Sequence, residues 1–233
     1  MKKKTKLLIV IIFFLISFYI SFDVIDKKPI IINEPKIIQK EKYEEQITSL
    51  KDKYQNDDVK AMLSIENTSF SSVIVQGTDN SYYLNHLPDK TKNIIGSVFI
   101  DYRIDIENTK KILIYGHSSP SFTIPIMIIE NYENKDYALK NPYIYLETEK
   151  EKKKYQVIGS TIETNDWTYM KLDFKDEEEL QEHYDYLLSK SFYKLDSLNA
   201  KDEILIIQTC STNKKYKNYQ KKYFLVIAKK IKE

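Results

Sequence analysis

Ile204-Leu205-Ile206-Ile207-Gln208-Thr209-Cys210 is an apolar run that ends in the chain's only cysteine. It reads as a strand, followed by the polar loop Ser211-Thr212-Asn213-Lys214-Lys215. Short β-rich runs of the same kind occur at 72–76, 96–100, 111–115, 143–146, 155–158 and 223–227, most of them separated by turn or polar residues. Seven such strands after residue 62 predict a mainly β domain, a barrel or a sandwich. One clear helix interrupts them at 173–188, with an acidic start and Leu180, Tyr184, Leu187 and Leu188 on one face. On it, His183 stands beside Glu182 and Asp185 and reads as a solvated surface histidine. The charge run at 149–154 reads as a solvated hairpin tip.

Upstream of the strands the pattern differs. Lys2, Lys3, Lys4 and Lys6 precede an apolar run at 7–22. Sixteen helical residues span roughly 24 Å, slightly short of a ~30 Å hydrocarbon core. Lysine snorkelling and the nearby Val24 and Ile25 cover the difference. The run is expected to be an uncleaved anchor, since no small-residue cleavage site follows it, with a cleaved signal peptide as the rival. The leading lysines put the N-terminus in the cytoplasm and the rest outside a single-pass cell membrane protein. Residues 1–26 are therefore read as cytoplasmic lysines and anchor, 27–37 with Pro29 and Pro35 as a linker, and 38–233 as an extracellular domain. Tyr43, Ile47, Leu50 and Tyr54 recur at helical spacing over 38–54. Asn56-Asp57-Asp58 ends that helix or caps a short one starting near Val59.

Composition excludes several function classes. The 233 residues carry a net charge of +2, which argues against a nucleic-acid partner. One cysteine rules out an intramolecular disulfide framework and cysteine-rich zinc sites. Three histidines leave little for a metal site, and four glycines fit neither a Rossmann fingerprint nor a P-loop. No metal and no cofactor are expected. Of 36 basic residues only Arg103 is arginine.

Two residues stand where strands give way to loops, the places where a scaffold presents reactive groups. Cys210 is either a buried small hydrophobe or a reactive thiol. His117, after Ile112-Leu113-Ile114-Tyr115-Gly116 and before Ser118-Ser119-Pro120, is either a loop histidine without a role or an acid/base. Together they are the one nucleophile–base pair the sequence offers. Unperturbed, such groups form only about 1% of the thiolate–imidazolium pair at neutral pH. Thiolate attack on an amide gives a thioester, the imidazolium protonates the leaving amine, and an oxyanion partner is still needed.

Four ordered stretches resemble the class B sortases, membrane-anchored cysteine transpeptidases of Gram-positive bacteria. They are Val75-Gln76-Gly77-Thr78-Asp79-Asn80-Ser81-Tyr82-Tyr83-Leu84, Gly96-Ser97-Val98-Phe99-Ile100-Asp101-Tyr102-Arg103, Ile114-Tyr115-Gly116-His117 and Ile207-Gln208-Thr209-Cys210, with Ile at the usual leucine of the last. Order and spacing agree over roughly 40–230. The resemblance implies a closed eight-stranded β-barrel with N-terminal helices and a long helix before the cysteine strand. It implies Cys210 as nucleophile, His117 as its acid/base partner, and a substrate groove past Asn80, Leu84, Thr164, Tyr169 and Met170. It further implies cleavage of an LPXTG-like sorting signal of a surface protein after its threonine, then transfer to a peptidoglycan amine. The family's arginine on the last strand falls at Tyr223, which offers one neutral donor and no charge. Lys221 and Lys222 are nearby alternatives, and Arg103 belongs to another motif. That departure keeps a second expectation open, a sortase-like domain that binds peptides without cutting them or only hydrolyses them.

Overall fold

The protein is described here by a computed structural model covering residues 36–119, 121 and 123–231. Eight strands are β1 (Val59–Ile65), β2 (Ser71–Val75), β3 (Val98–Ile100), β4 (Lys111–Gly116), β5 (Tyr143–Glu147), β6 (Lys152–Glu163), β7 (Ile204–Cys210) and β8 (Tyr223–Lys230). They close into a barrel in the order β1-β2-β3-β4-β7-β8-β6-β5. The helices are α1 (Lys36–Tyr54), α2 (Lys135–Lys140) and α3 (Glu177–Ser189), with 3₁₀ turns at Tyr82–Leu84, Pro125–Glu133, Thr168–Met170 and Lys214–Tyr216. The mainly β, eight-stranded barrel matches the expected fold.

The strand missing from the sequence reading is β1. Val59, Ala61, Leu63 and Ile65 are buried and alternate with half-buried residues, the period of a half-buried strand and not of a capped helix. The strand also pairs on both sides, with β2 and with β5. In α3 the buried positions are Leu180, His183, Tyr184, Leu187 and Leu188. His183 thus falls on the apolar stripe and is buried, correcting the solvated reading; its charged sequence neighbours point the other way round the helix. The 149–154 run is also less solvated than expected. Lys153 lies in β6 and is buried, its Nζ donating to Ile106 O and pairing with Glu203.

The anchor at 7–22 and the boundaries at 26 and 37 fall on or beside residues outside those described. Among the described residues no helix is long and apolar enough to cross a membrane. The expected single-pass placement, with its extracellular domain, is corrected on that finding.

Two parallel pairings shape the barrel around the site. β3 lies parallel to β2, and β7 lies parallel to β4, with Ile112↔Leu205, Ile114↔Ile207 and Gly116↔Thr209 in register. All of β4 is buried, as are Ile204 to Ile207 of β7. Strands buried on both faces read as the continuous apolar runs seen in the sequence.

Candidate active site

Parallel pairing aligns the C-terminal ends of β4 and β7. After the Gly116↔Thr209 pair, the next residue of each strand is His117 and Cys210. Thr209 Oγ1 donates to Gly116 O at 3.1 Å and ties the two ends together in the buried layer. On its other side β7 pairs antiparallel with β8, and Cys210 faces Tyr223 directly. The nucleophile, base and tyrosine expected from sequence are thus neighbours across three adjacent strands.

They open onto one cavity of about 320 Å³, lined by Asn80, Leu84, Phe99, Tyr115, Gly116, His117, Tyr169, Met170, Gln208, Cys210 and Tyr223. Seven of the eight expected site residues line it. Thr164 does not. It begins the turn after β6 ends at Glu163, and the chain returns to the cavity only with the Thr168–Met170 turn.

Cys210 is exposed, yet its surroundings exclude enough water to push the thiol's pKa up, and Glu130's negative charge adds to that. Burial also raises the Tyr223 phenol, with Cys210 contributing, so Tyr223 is a neutral donor near neutral pH. Its ring packs edge-on against Trp167, centroids 5.1 Å apart. Lys221 and Lys222 do not line the cavity, and Lys222 Nζ donates instead to Asn213 O.

Gly116 lets the 3₁₀ segment Pro125–Glu133 approach closely, since a Cβ there would lie 2.9 Å from Ile126 Cγ1 and Cγ2. That segment carries Glu130, whose Oε2 accepts from Thr212 N and Oγ1 at 2.9 and 2.8 Å, just past the cysteine. Its other oxygen is buried without a hydrogen-bond partner among the described residues. No sequence signal marks Glu130, because its relation to Cys210 exists only after 80 residues have folded back.

The opposite wall rests on Asp101, fully buried. It accepts from Arg103 Nε and Nη2 at 2.9 and 2.7 Å, Tyr115 OH at 2.8 Å and Asn80 Nδ2 at 3.0 Å. Burial works to raise its carboxyl pKa, but these hydrogen bonds outweigh it and hold the group below the usual carboxylate range. Asn80 also accepts from Tyr102 N, so its amide is fixed at the cavity edge. Tyr169 is buried and its phenol donates to Gln208 Oε1 at 2.6 Å. Arg103, the lone arginine, is thus a partner of Asp101 and does not line the cavity.

No family model matches the chain. It is 28% identical over 163 residues to sortase B of Listeria monocytogenes, covering 69% of this chain and 66% of that protein. It is 26% identical over 157 residues to sortase B of Staphylococcus aureus, covering 66% and 64%. The aligned region therefore spans just under two thirds of both relatives. Among solved structures, Clostridium perfringens sortase B is 28% identical with a TM-score of 0.70, over 79% of this chain and 99% of the other. A Staphylococcus aureus sortase B–substrate complex is 25% identical with a TM-score of 0.68, over 82% and 94%.

Proposed function

We propose that this chain, which belongs to the class B sortases, is a cysteine transpeptidase acting on an LPXTG-like sorting signal through Cys210. The observation that carries the proposal is the pairing of β4, β7 and β8, which gathers His117, Cys210 and Tyr223 at the mouth of one peptide-sized cavity.

The thiolate of Cys210 attacks the carbonyl carbon of the signal's threonine. Tyr223 donates its phenolic hydrogen to the developing oxyanion, a neutral bond in place of a charge-assisted one. His117, protonated in the reactive ion pair, gives its proton to the leaving amine as the C–N bond breaks, leaving a thioester. An amine of peptidoglycan then attacks the thioester carbonyl, the C–S bond breaks to release the Cys210 thiolate, and His117 takes the amine's proton, so the ion pair is regenerated. Raising the thiol's pKa lowers the share of the reactive ion pair further. Asn80, Leu84, Tyr169 and Met170 form the walls that receive the peptide.

The test is a library of fluorogenic LPXTG-like peptides incubated with the protein and a peptidoglycan-like amine. Cleavage with ligated product supports the proposal, and Cys210→Ala must abolish both. A neutral phenol at the place of an arginine, beside a thiol with a raised pKa, favours a second reading, a domain that binds or only hydrolyses peptides. Hydrolysis without ligation, or binding without an adduct on Cys210, selects it.

A further inference from the structure

Three consecutive main-chain carbonyls behind the cavity, those of Tyr169, Met170 and Lys171, each accept from a basic side chain. Lys111 Nζ donates to Tyr169 O at 2.7 Å and to Lys171 O at 2.6 Å. Arg103 Nη2 donates to Met170 O at 3.1 Å. The ammonium's third contact is His183 Nε2, at 2.7 Å.

Lys111 opens β4, the strand whose other end leads into His117, and it is only 3% exposed. Among the described residues no carboxylate stands within ion-pair distance of it. Burial, with Arg103's charge adding, pulls its pKa down to about 7. Burial, with Lys111's charge adding, pulls His183 down to about 3, so the imidazole is neutral and can accept at Nε2. Its Nδ1 is buried without a hydrogen-bond partner among the described residues. A buried amine whose opposite charge, Asp101, acts on it only from beyond ion-pair distance is costly to place there, and an apolar side chain of similar volume would fill this space at less cost. What an apolar side chain cannot do is hold two carbonyls of the cavity wall.

We propose that Lys111 is a positioning residue for peptide recognition: with Arg103 it clamps the main chain at 169–171 so that Tyr169 and Met170 present a fixed wall to the peptide. The proposal rests on the peptide-binding reading of the cavity. A merely structural lysine would leave peptide recognition unchanged at constant fold.

Lys111→Met in the full chain is the direct test, with an LPXTG-like fluorogenic peptide as probe. KM is expected to rise about tenfold with kcat within about twofold of wild type, because the wall acts in binding and not in bond breaking. The rate of Cys210 alkylation by iodoacetamide should not change. Lys111→Gln, which keeps donors but loses the charge, should fall between the two, and it carries the test if Lys111→Met does not fold. An unchanged KM, or a loss confined to kcat, overturns the proposal. If wild type neither binds nor cleaves any peptide, the peptide-binding reading fails and hydrogen exchange decides the clamp. Met170 N and Lys171 N bond to Trp167 O and Thr168 O within the clamped turn. Faster exchange at those two amides in Lys111→Met sustains the clamp, and unchanged exchange overturns it.

Discussion

Cys210 holds its proton more tightly than a free cysteine, because partial burial and the Glu130 carboxylate both disfavour a second negative charge. Alkylation of Cys210 should therefore titrate above the range of an unperturbed thiol. Glu130→Gln keeps an acceptor for Thr212 and removes the charge, so the midpoint should move to lower pH in an iodoacetamide rate profile. A midpoint that stays put would remove Glu130 from the account. Tyr223 carries the oxyanion role proposed here. Tyr223→Phe should lower kcat about 100-fold, as loss of one preorganised donor does, whereas Lys222→Ala, directed at Asn213 O, should stay within about twofold. The reverse order in steady-state kinetics would transfer the role to the lysine. Cys210 and His117 could be named from sequence because strand ends and ordered motifs mark them, whereas Tyr223 came only from the resemblance, as the place of the family's arginine. Glu130 could not, since no local pattern records a neighbour made by an 80-residue excursion.

Strands and the long helix were legible as elements because each carries its own period. β1 was hidden by the acidic turn before it, although its alternation was present in Val59, Ala61, Leu63 and Ile65. His183 was misread from its charged neighbours, when the spacing 180, 183, 184, 187, 188 already put it on the buried stripe. That burial has a pH consequence. The folded imidazole titrates near 3 and the unfolded one near 6.5, so between those values the unfolded state binds more protons and stability falls as pH falls. The slope from one such group reaches about 1.4 kcal/mol per pH unit. Urea titrations from pH 7 to 4 should show a shallower decline in His183→Gln than in wild type. At the end of β4, Gly116→Ala should cost about 1–3 kcal/mol, because the added methyl meets the stiff, branched carbons of Ile126 rather than a flexible tip. Equal melting temperatures for the two proteins would show that the Pro125–Glu133 segment yields freely.

Barrel closure is the level at which sequence reading gave least. Apolar runs announce buried strands, but the parallel partnership of β4 with β7 joins segments far apart in the chain, and the runs themselves carry no label for their partners. The resemblance implies the eight-stranded barrel, while the strand order, on which the site depends, comes from the structure. His117 and Cys210 are 93 positions apart and become neighbours only through the β4–β7 register. Ile206 sits in the middle of that register, nearly inaccessible. Ile206→Ala should cost about 2–5 kcal/mol in chemical denaturation. The central claim, that the barrel exists to present Cys210 as an acyl carrier, is most directly tested by intact-mass and peptide-mapping spectrometry after mixing with LPXTG-like peptides. The expected result is a mass increase equal to the acyl half of a peptide, mapped to Cys210 and removed by an added amine. Cleaved peptide without any adduct in Cys210→Ala, or an adduct on another residue, would contradict it.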